Sequence, residues 1–233
     1  MQEPENTAMA REISVESSLR VTLPALRGRV RLFRPTYRRL KRVVDLLLCT
    51  LSAPVLLPLS GIIAALVYLD SPGPLVFRQP RTGKGGKRFE MFKFRTMVPN
   101  AEALKQHYAH LNELKWPDFK ITNDPRVTRM GRFLRKTSLD ELPQLLNVVR
   151  GEMSLVGPRP TSFDLKTYSL WHTERLEVLP GITGLWQIRG RSDLEFDDRV
   201  QLDIEYIEKQ SLWLDLEILL RTIVVVFEQR GAY

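Results

Sequence analysis

With one cysteine, Cys49, and three histidines in 233 residues, the chain has little of the chemistry on which disulfide scaffolds and metal centres are built. A lone thiol in an apolar run excludes an intrachain disulfide framework and a cysteine-based metal site, and a reducing compartment is the simpler reading. His107, His110 and His172 show no metal-ligand arrangement, so each is expected on solvated surface. The first ten residues have neither a positive start nor an apolar centre, so no secretory signal is read there. Acidic residues are in the minority: 27 Asp and Glu stand against 35 Lys and Arg, a net charge of +8. That balance favours an anionic partner, whether nucleic acid, a phosphorylated substrate or an acidic lipid surface, without choosing among them. The length suits one globular domain with an appendage.

The appendage is legible. Residues 1–26 are polar with no sustained period and read as a flexible tail. Residues 27–42 carry eight Lys and Arg interleaved with Val30, Leu32, Phe33, Tyr37 and Leu40, a composition suited to lying on anionic membrane lipid. Residues 43–69 are apolar apart from Asp45 and a few small polar groups. As a straight helix they would measure about 40 Å, more than the roughly 30 Å hydrocarbon core. Two features oppose a simple span. Pro54 and Pro58 each remove a backbone hydrogen bond, so a kink is expected near Ala53-Pro54. The far flank is also basic, with Arg78, Arg81, Lys84, Lys87, Arg88, Lys93 and Arg95, and basic flanks belong on the cytoplasmic side. A re-entrant helix that bends and leaves by the face it entered satisfies both, ahead of a bitopic span and of a buried core helix.

Residues 70–233 read as the catalytic domain. A turn cluster at 70–74, strands at 75–77 and 89–94 and a tight connection at 82–87 predict a hairpin. Residues 101–114 read as an exposed helix, and residues 207–227, which include Asp215, Glu217 and Arg221, as a core or interfacial helix. The fold class expected is helix-rich α+β, with short strands in a compact cytoplasmic domain anchored by the Pro-kinked hairpin.

The segment RKTSLDELPQ carries the candidate chemistry. Its plain reading is a capping box, Ser138 with Glu141, and on local sequence alone this reading is favoured. Pro143 fits it poorly, because at a fifth helical position the missing N–H is one the helix needs. The pair is therefore expected where a helix begins or bends. Adjacent helical residues point about 100° apart, so Asp140 and Glu141 are expected to divide their roles. A carboxylate can form an acyl phosphate, and a neighbouring carboxylate can hold Mg²⁺, which takes oxygen ligands and substrate phosphates. Arg132, Arg135 and Lys136 are nearby cationic clamps. Arg159, between two prolines in VGPRP, would be displayed from a stiff loop, although on these residues alone an ordinary turn with an exposed Arg is the favoured reading. The turn at 180–187 could wall a pocket but carries no catalyst.

Together the stretches KRVVDLLLCTLSAPVLLPL, SPGPLVFRQPRTG, FEMFKFRTM, DPRVTRMGRFLRKTSLDELPQLLNVVRGEMSLVGPRP and LPGITGLWQIRGRS resemble the bacterial sugar transferase family, the monotopic phosphoglycosyl transferases that prime bacterial glycan assembly. The resemblance implies a bend at Ala53-Pro54 and an inner-membrane enzyme with its active site at the cytoplasmic interface. It implies attack by Asp140 on the β-phosphate of a UDP-sugar, release of UMP and transfer of the sugar phosphate to polyprenyl phosphate. Glu141, with Asp140 beside it, is then the Mg²⁺ ligand, Arg135 and Arg159 bind phosphate and nucleotide, and Lys93 and Arg95 form a basic motif near the site. Ala53 replaces the Ser common before the bend proline. The stretch after Asp193 resembles that of hexose-transferring relatives, which points to UDP-glucose or UDP-galactose. No nucleic-acid partner is expected on this reading, and a homodimer is left open. Two rival readings are a nucleic-acid-binding protein and a non-catalytic membrane scaffold.

Overall fold

The computed structural model describes residues 35–113, 119, 121–163, 168–190 and 194–227. The tail expected at 1–26 and the first part of the basic stretch 27–42 lie outside these residues. The chain divides after Arg39 into an N-terminal unit and a unit running from Leu40 to Tyr233.

Helix α1, Pro35–Asp70, runs through both Pro54 and Pro58. Among the described residues it is the one helix long and apolar enough to cross a membrane, and only 11% of its apolar window is buried, unlike a core helix. Its buried residues fall in two pairs four apart, which share a face: Asp45 with Cys49, and Ile63 with Val67. Cys49 joins a core cluster with Met91, Val148 and Met153, while Asp45 accepts hydrogen bonds from Ser154 Oγ at 2.7 Å and the Leu155 N–H at 3.3 Å. Ile63 and Val67 join a second cluster with Phe94 and Leu134. Between the pairs, Leu51, Val55 and Leu57 are exposed. Ser52 Oγ, shortly before Pro54, donates to Cys49 O at 3.1 Å.

Strands β1, Val76–Thr82, and β2, Arg88–Phe94, form the expected antiparallel hairpin, in register from Val76 opposite Phe94 to Thr82 opposite Arg88. β1 is longer than expected and includes Pro80, which an edge strand tolerates. The connection turns at Gly85, whose φ of 63° suits glycine. The buried side chain of Asn147 extends this ladder: its Oδ1 accepts from the Phe92 N–H at 3.1 Å and its Nδ2 donates to Glu90 O at 2.7 Å. A side-chain amide thus mimics a neighbouring strand and docks the next helices on β2.

Helix α2, Arg129–Thr137, starts at Thr128, whose Oγ1 accepts from the Gly131 N–H at 3.0 Å. A Cβ at Gly131 would lie 2.0 Å from Thr96 O, so glycine lets α2 press on the backbone that leaves β2. A 3₁₀ turn at Leu139–Glu141 leads into α3, Gln144–Arg150. Strands β3, Ser154–Val156, and β4, Gly181–Thr183, then pair in parallel, followed by α4, Leu185–Arg189, α5, Phe196–Lys209, and α6, Leu212–Phe227.

The helix-rich α+β class with short strands is observed, with two corrections. The helix expected at 101–114 is a run of turns ending in a 3₁₀ turn at Ala109–Leu111, with backbone bonds that alternate between three- and four-residue spacing. Its side chains are largely exposed, so no packed face offsets the cost of fixing a regular helix. The helix expected at 207–227 is broken at Gln210, where ψ turns to 124°, and Ser211 Oγ caps the Leu214 N–H at 3.1 Å. α6 buries Ile218 and presents Trp213, Leu216, Leu220, Ile223 and Val224 outward, as a core or interfacial helix does.

Candidate active site

The capping box does not form. Ser138 already ends α2 in the left-handed region, φ 57°, its N–H donating to Arg135 O at 3.2 Å, and its side chain makes no cap bond. Pro143 is the N-cap of α3, where a missing N–H costs the helix nothing. The acidic pair therefore occupies a 3₁₀ turn between two helices, as a break at this point requires, and at three residues per turn the two side chains diverge by about 120°.

Their environments differ sharply. Glu141 is gripped by two cations: Lys93 Nζ donates to Oε1 at 2.7 Å, and Arg159 spans the carboxylate, NH1 donating to Oε2 at 3.2 Å and NH2 to Oε1. Burial opposes charge on Glu141, but Arg159 and Lys93 outweigh it and hold the carboxyl well below the usual range. Asp140 is buried too, and its carboxylate has one close cation, Lys93 Nζ at 3.8 Å. Burial, only partly countered by Lys93 and reinforced by the charge of Glu141, raises its pKa. One carboxylate is thus locked and ionised while the other is lightly held and more basic, a division that suits a nucleophile beside a fixed anion.

Arg159 owes its position to a backbone crossing. The Gly157 N–H donates to Thr183 O and the Gly181 N–H to Pro158 O, each at 2.9 Å. A Cβ at Gly181 would sit 2.1 Å from Gly157 N, so VGPRP and PGITG can cross this closely only as glycines. Arg175 then donates through NH2 to Arg159 O at 2.9 Å and to Asp203 Oδ2 at 2.5 Å. Burial lifts the Asp203 carboxyl to about 6 in spite of Arg175.

A model of the family described as "Bacterial sugar transferase" matches residues 36–229, which includes α1 from its second residue onward and every element of this site. The chain belongs to the bacterial sugar transferase family. It is 44% identical over 213 residues to the undecaprenyl-phosphate galactose phosphotransferase of Salmonella typhimurium, covering 89% of this chain and 44% of that protein. It is 41% identical over 211 residues to the UDP-glucose:undecaprenyl-phosphate glucose-1-phosphate transferase of Escherichia coli, covering 84% of this chain and 42% of that one. Against the exopolysaccharide production protein ExoY of Rhizobium meliloti it is 41% identical over 205 residues, 86% of this chain and 91% of the relative. The chain thus spans less than half the length of the first two relatives and most of the third.

Of the residues singled out from the sequence, Lys93, Asp140, Glu141 and Arg159 are brought together. Arg135 is close enough for the charge of Asp140 to act on it and donates through Nε to Thr96 Oγ1 at 3.0 Å. Arg95 is not brought to the dyad: it is buried against the 71–73 turn, with NH2 donating to Ser71 O. Arg132 is exposed on α2 and makes no bond to either acid. His107 and His110 are exposed as expected. His172 is not; its ring packs against Trp171 and Phe196 and hydrogen-bonds Ser169 and Asp197, because Ser169 starts a 3₁₀ turn that folds it inward. Sequence reasoning missed Arg175 and Asp203, which carry no local signal, and the role of Arg81, whose NH1 donates to Pro160 O at 3.4 Å beside Arg159.

Among the described residues no three His, Cys, Asp or Glu gather as metal ligands. The adjacent carboxylates of Asp140 and Glu141 fit a hard cation that also takes phosphate oxygens, rather than one held by protein alone.

Proposed function

We propose that the protein transfers a hexose 1-phosphate from a UDP-sugar to a polyprenyl phosphate at the inner-membrane surface, in the first membrane step of bacterial glycan assembly. The observation that carries this reading is the asymmetric dyad: a lightly held, buried Asp140 beside a Glu141 locked by Lys93 and Arg159. The relatives named for transfer of galactose or glucose phosphate to undecaprenyl phosphate support the same chemistry.

In the proposed reaction an Asp140 carboxylate oxygen attacks the β-phosphorus of the donor. The bond from that phosphorus to the bridging oxygen breaks, and UMP leaves with the electron pair. A polyprenyl phosphate oxygen then attacks the phosphorus of the acyl phosphate, and Asp140 is regenerated as carboxylate. Lys93, Arg159 and Arg135 serve as the clamps on phosphate oxygens, and the charge they supply stabilises negative charge shared across the transferring group. Mg²⁺, bound by Glu141 and Asp140 with the donor diphosphate, would supply charge neutralisation there. Arg159 moving from Glu141 to the incoming phosphate would free the Glu141 oxygens for this role.

The membrane reading has its own support. Cys49 and Ile63 are fourteen residues apart, about 21 Å along a straight helix. The β2 residues in their clusters, Met91 and Phe94, are three apart, about 10 Å along a strand. A bend at Ala53-Pro54 that returns both halves of α1 to one domain fits this, with exposed Leu51, Val55 and Leu57 dipping into lipid. Cysteine labelling at the two flanks of α1 is expected to report the cytoplasmic side for both; opposite sides would rule the hairpin out.

The activity is tested by incubating the protein in detergent with undecaprenyl phosphate and either UDP-glucose or UDP-galactose. UMP and a lipid-linked sugar phosphate are expected from at least one donor, and neither product from either donor would refute the reading.

A further inference from the structure

A cavity of about 360 Å³ opens beside Arg159, between β1, the 159–163 loop, α4 and α5. This lies at the small end of ligand pockets, the scale of one mononucleotide. Its lining is strongly one-signed: Arg81, Arg159, Arg175 and Arg199 contribute to it along with Lys105, and among the described residues no carboxylate does. One wall is aromatic. The Arg199 guanidinium carbon lies 5.6 Å from the Trp186 ring centre and 5.7 Å from that of Phe196. Such a layer of π faces and a planar cation can stack a flat heterocycle. Two lining residues also keep buried donors that find no acceptor among the described residues, Arg81 Nε and Trp186 Nε1. Buried donors ordinarily find a partner, so their lack of one favours a ligand rich in acceptors. Burial together with the neighbouring Arg159 pushes the Arg81 guanidinium down to about 10, the mark of a site crowded with positive charge.

We propose that this cavity holds the nucleoside monophosphate half of the donor, its phosphate between Arg81 and Arg159 and its base against the Trp186, Arg199 and Phe196 wall. The inference rests on the transferase reading and deepens it by placing the leaving group. Arg159 joins the cavity to Glu141, so a diphosphate can run from the pocket towards Asp140. It also gives a function to α5, which supplies Phe196 and Arg199 from beyond the acidic dyad and its loops.

The test is UMP binding to the full chain in detergent, followed by calorimetry, with inorganic phosphate as the comparison ligand. Wild type is expected to bind UMP more tightly than phosphate. Trp186→Leu and Arg199→Gln are each expected to weaken UMP about tenfold, the scale of a lost base stack, and to raise KM for the UDP-sugar in proportion. Arg199→Lys keeps the charge but not the plane and is expected to fall between. Arg199 is a partly exposed helix residue, so its variants test the site even if Trp186→Leu fails to fold. Unchanged UMP affinity in the Arg199 variants would overturn this site while leaving the transferase reading in place. Absence of saturable UMP binding to wild type would overturn both.

Discussion

Asp140→Asn is expected to lower UMP release from a UDP-sugar by about 10⁴-fold or more, the scale seen when a covalent nucleophile is removed. The amide is nearly isosteric, and among the described residues the Asp140 carboxylate makes no hydrogen bond that its loss would leave unsatisfied; its close partner is Lys93 at 3.8 Å. Structural explanations therefore predict a folded protein, and a capping role predicts no kinetic effect of this size. The same carboxylate should set the acid limb of the pH profile. Burial raises its pKa, so the ionised nucleophile is lost on acidification at a higher pH than for an ordinary Asp, and the rate should rise with pH through that value. Because Lys93 is the foremost charge opposing burial, Lys93→Met should move the acid limb to still higher pH. A limb that moved down, or did not move, would mean that another group titrates.

Glu141→Gln is expected to be the second most damaging change, through two separable effects. It leaves Lys93 and Arg159 facing a neutral amide in a mostly buried site, and breaking a buried pair costs about 3 kcal/mol. It also removes the carboxylate assigned to Mg²⁺, so activity should fall about 10²-fold or more and lose its dependence on the metal. Urea unfolding measures the first effect and a Mg²⁺ titration of the rate the second. Intact Mg²⁺ dependence with lowered stability would reduce Glu141 to an anchor for Arg159.

What the sequence disclosed and what it hid separate by range. The hairpin was legible because 89–94 alternates and a Gly-rich connection joins it to the short apolar run at 75–77, and the long apolar α1 because its composition permits little else. Lys93, Glu141 and Arg159 were legible as motif members, but their contacts were not, since 48 and 18 residues separate Glu141 from its two cations. Two prominent local signals misled. Ser138 and Glu141 spell a capping box, yet Ser138 had already been used to end α2. Residues 101–114 are good helix formers, but among the described ones, 101–113, no side chain is buried, so no apolar face holds a regular helix. Arg175 and Asp203 could not be found by any local pattern, because Asp203 acts through Arg175, and Arg175 through the carbonyl of Arg159 and the cavity beside it. The same holds for Asn147, whose amide completes β2 from 55 residues away.

The central claim is that Asp140 becomes covalently phosphorylated by the donor, and intact-protein mass spectrometry tests it most directly. Wild type mixed with a UDP-sugar in the absence of polyprenyl phosphate should gain the mass of one hexosyl phosphate, map it to Asp140, and lose it when the lipid acceptor is added. Release of UMP only after the acceptor is added, with no adduct at any time, would contradict the account.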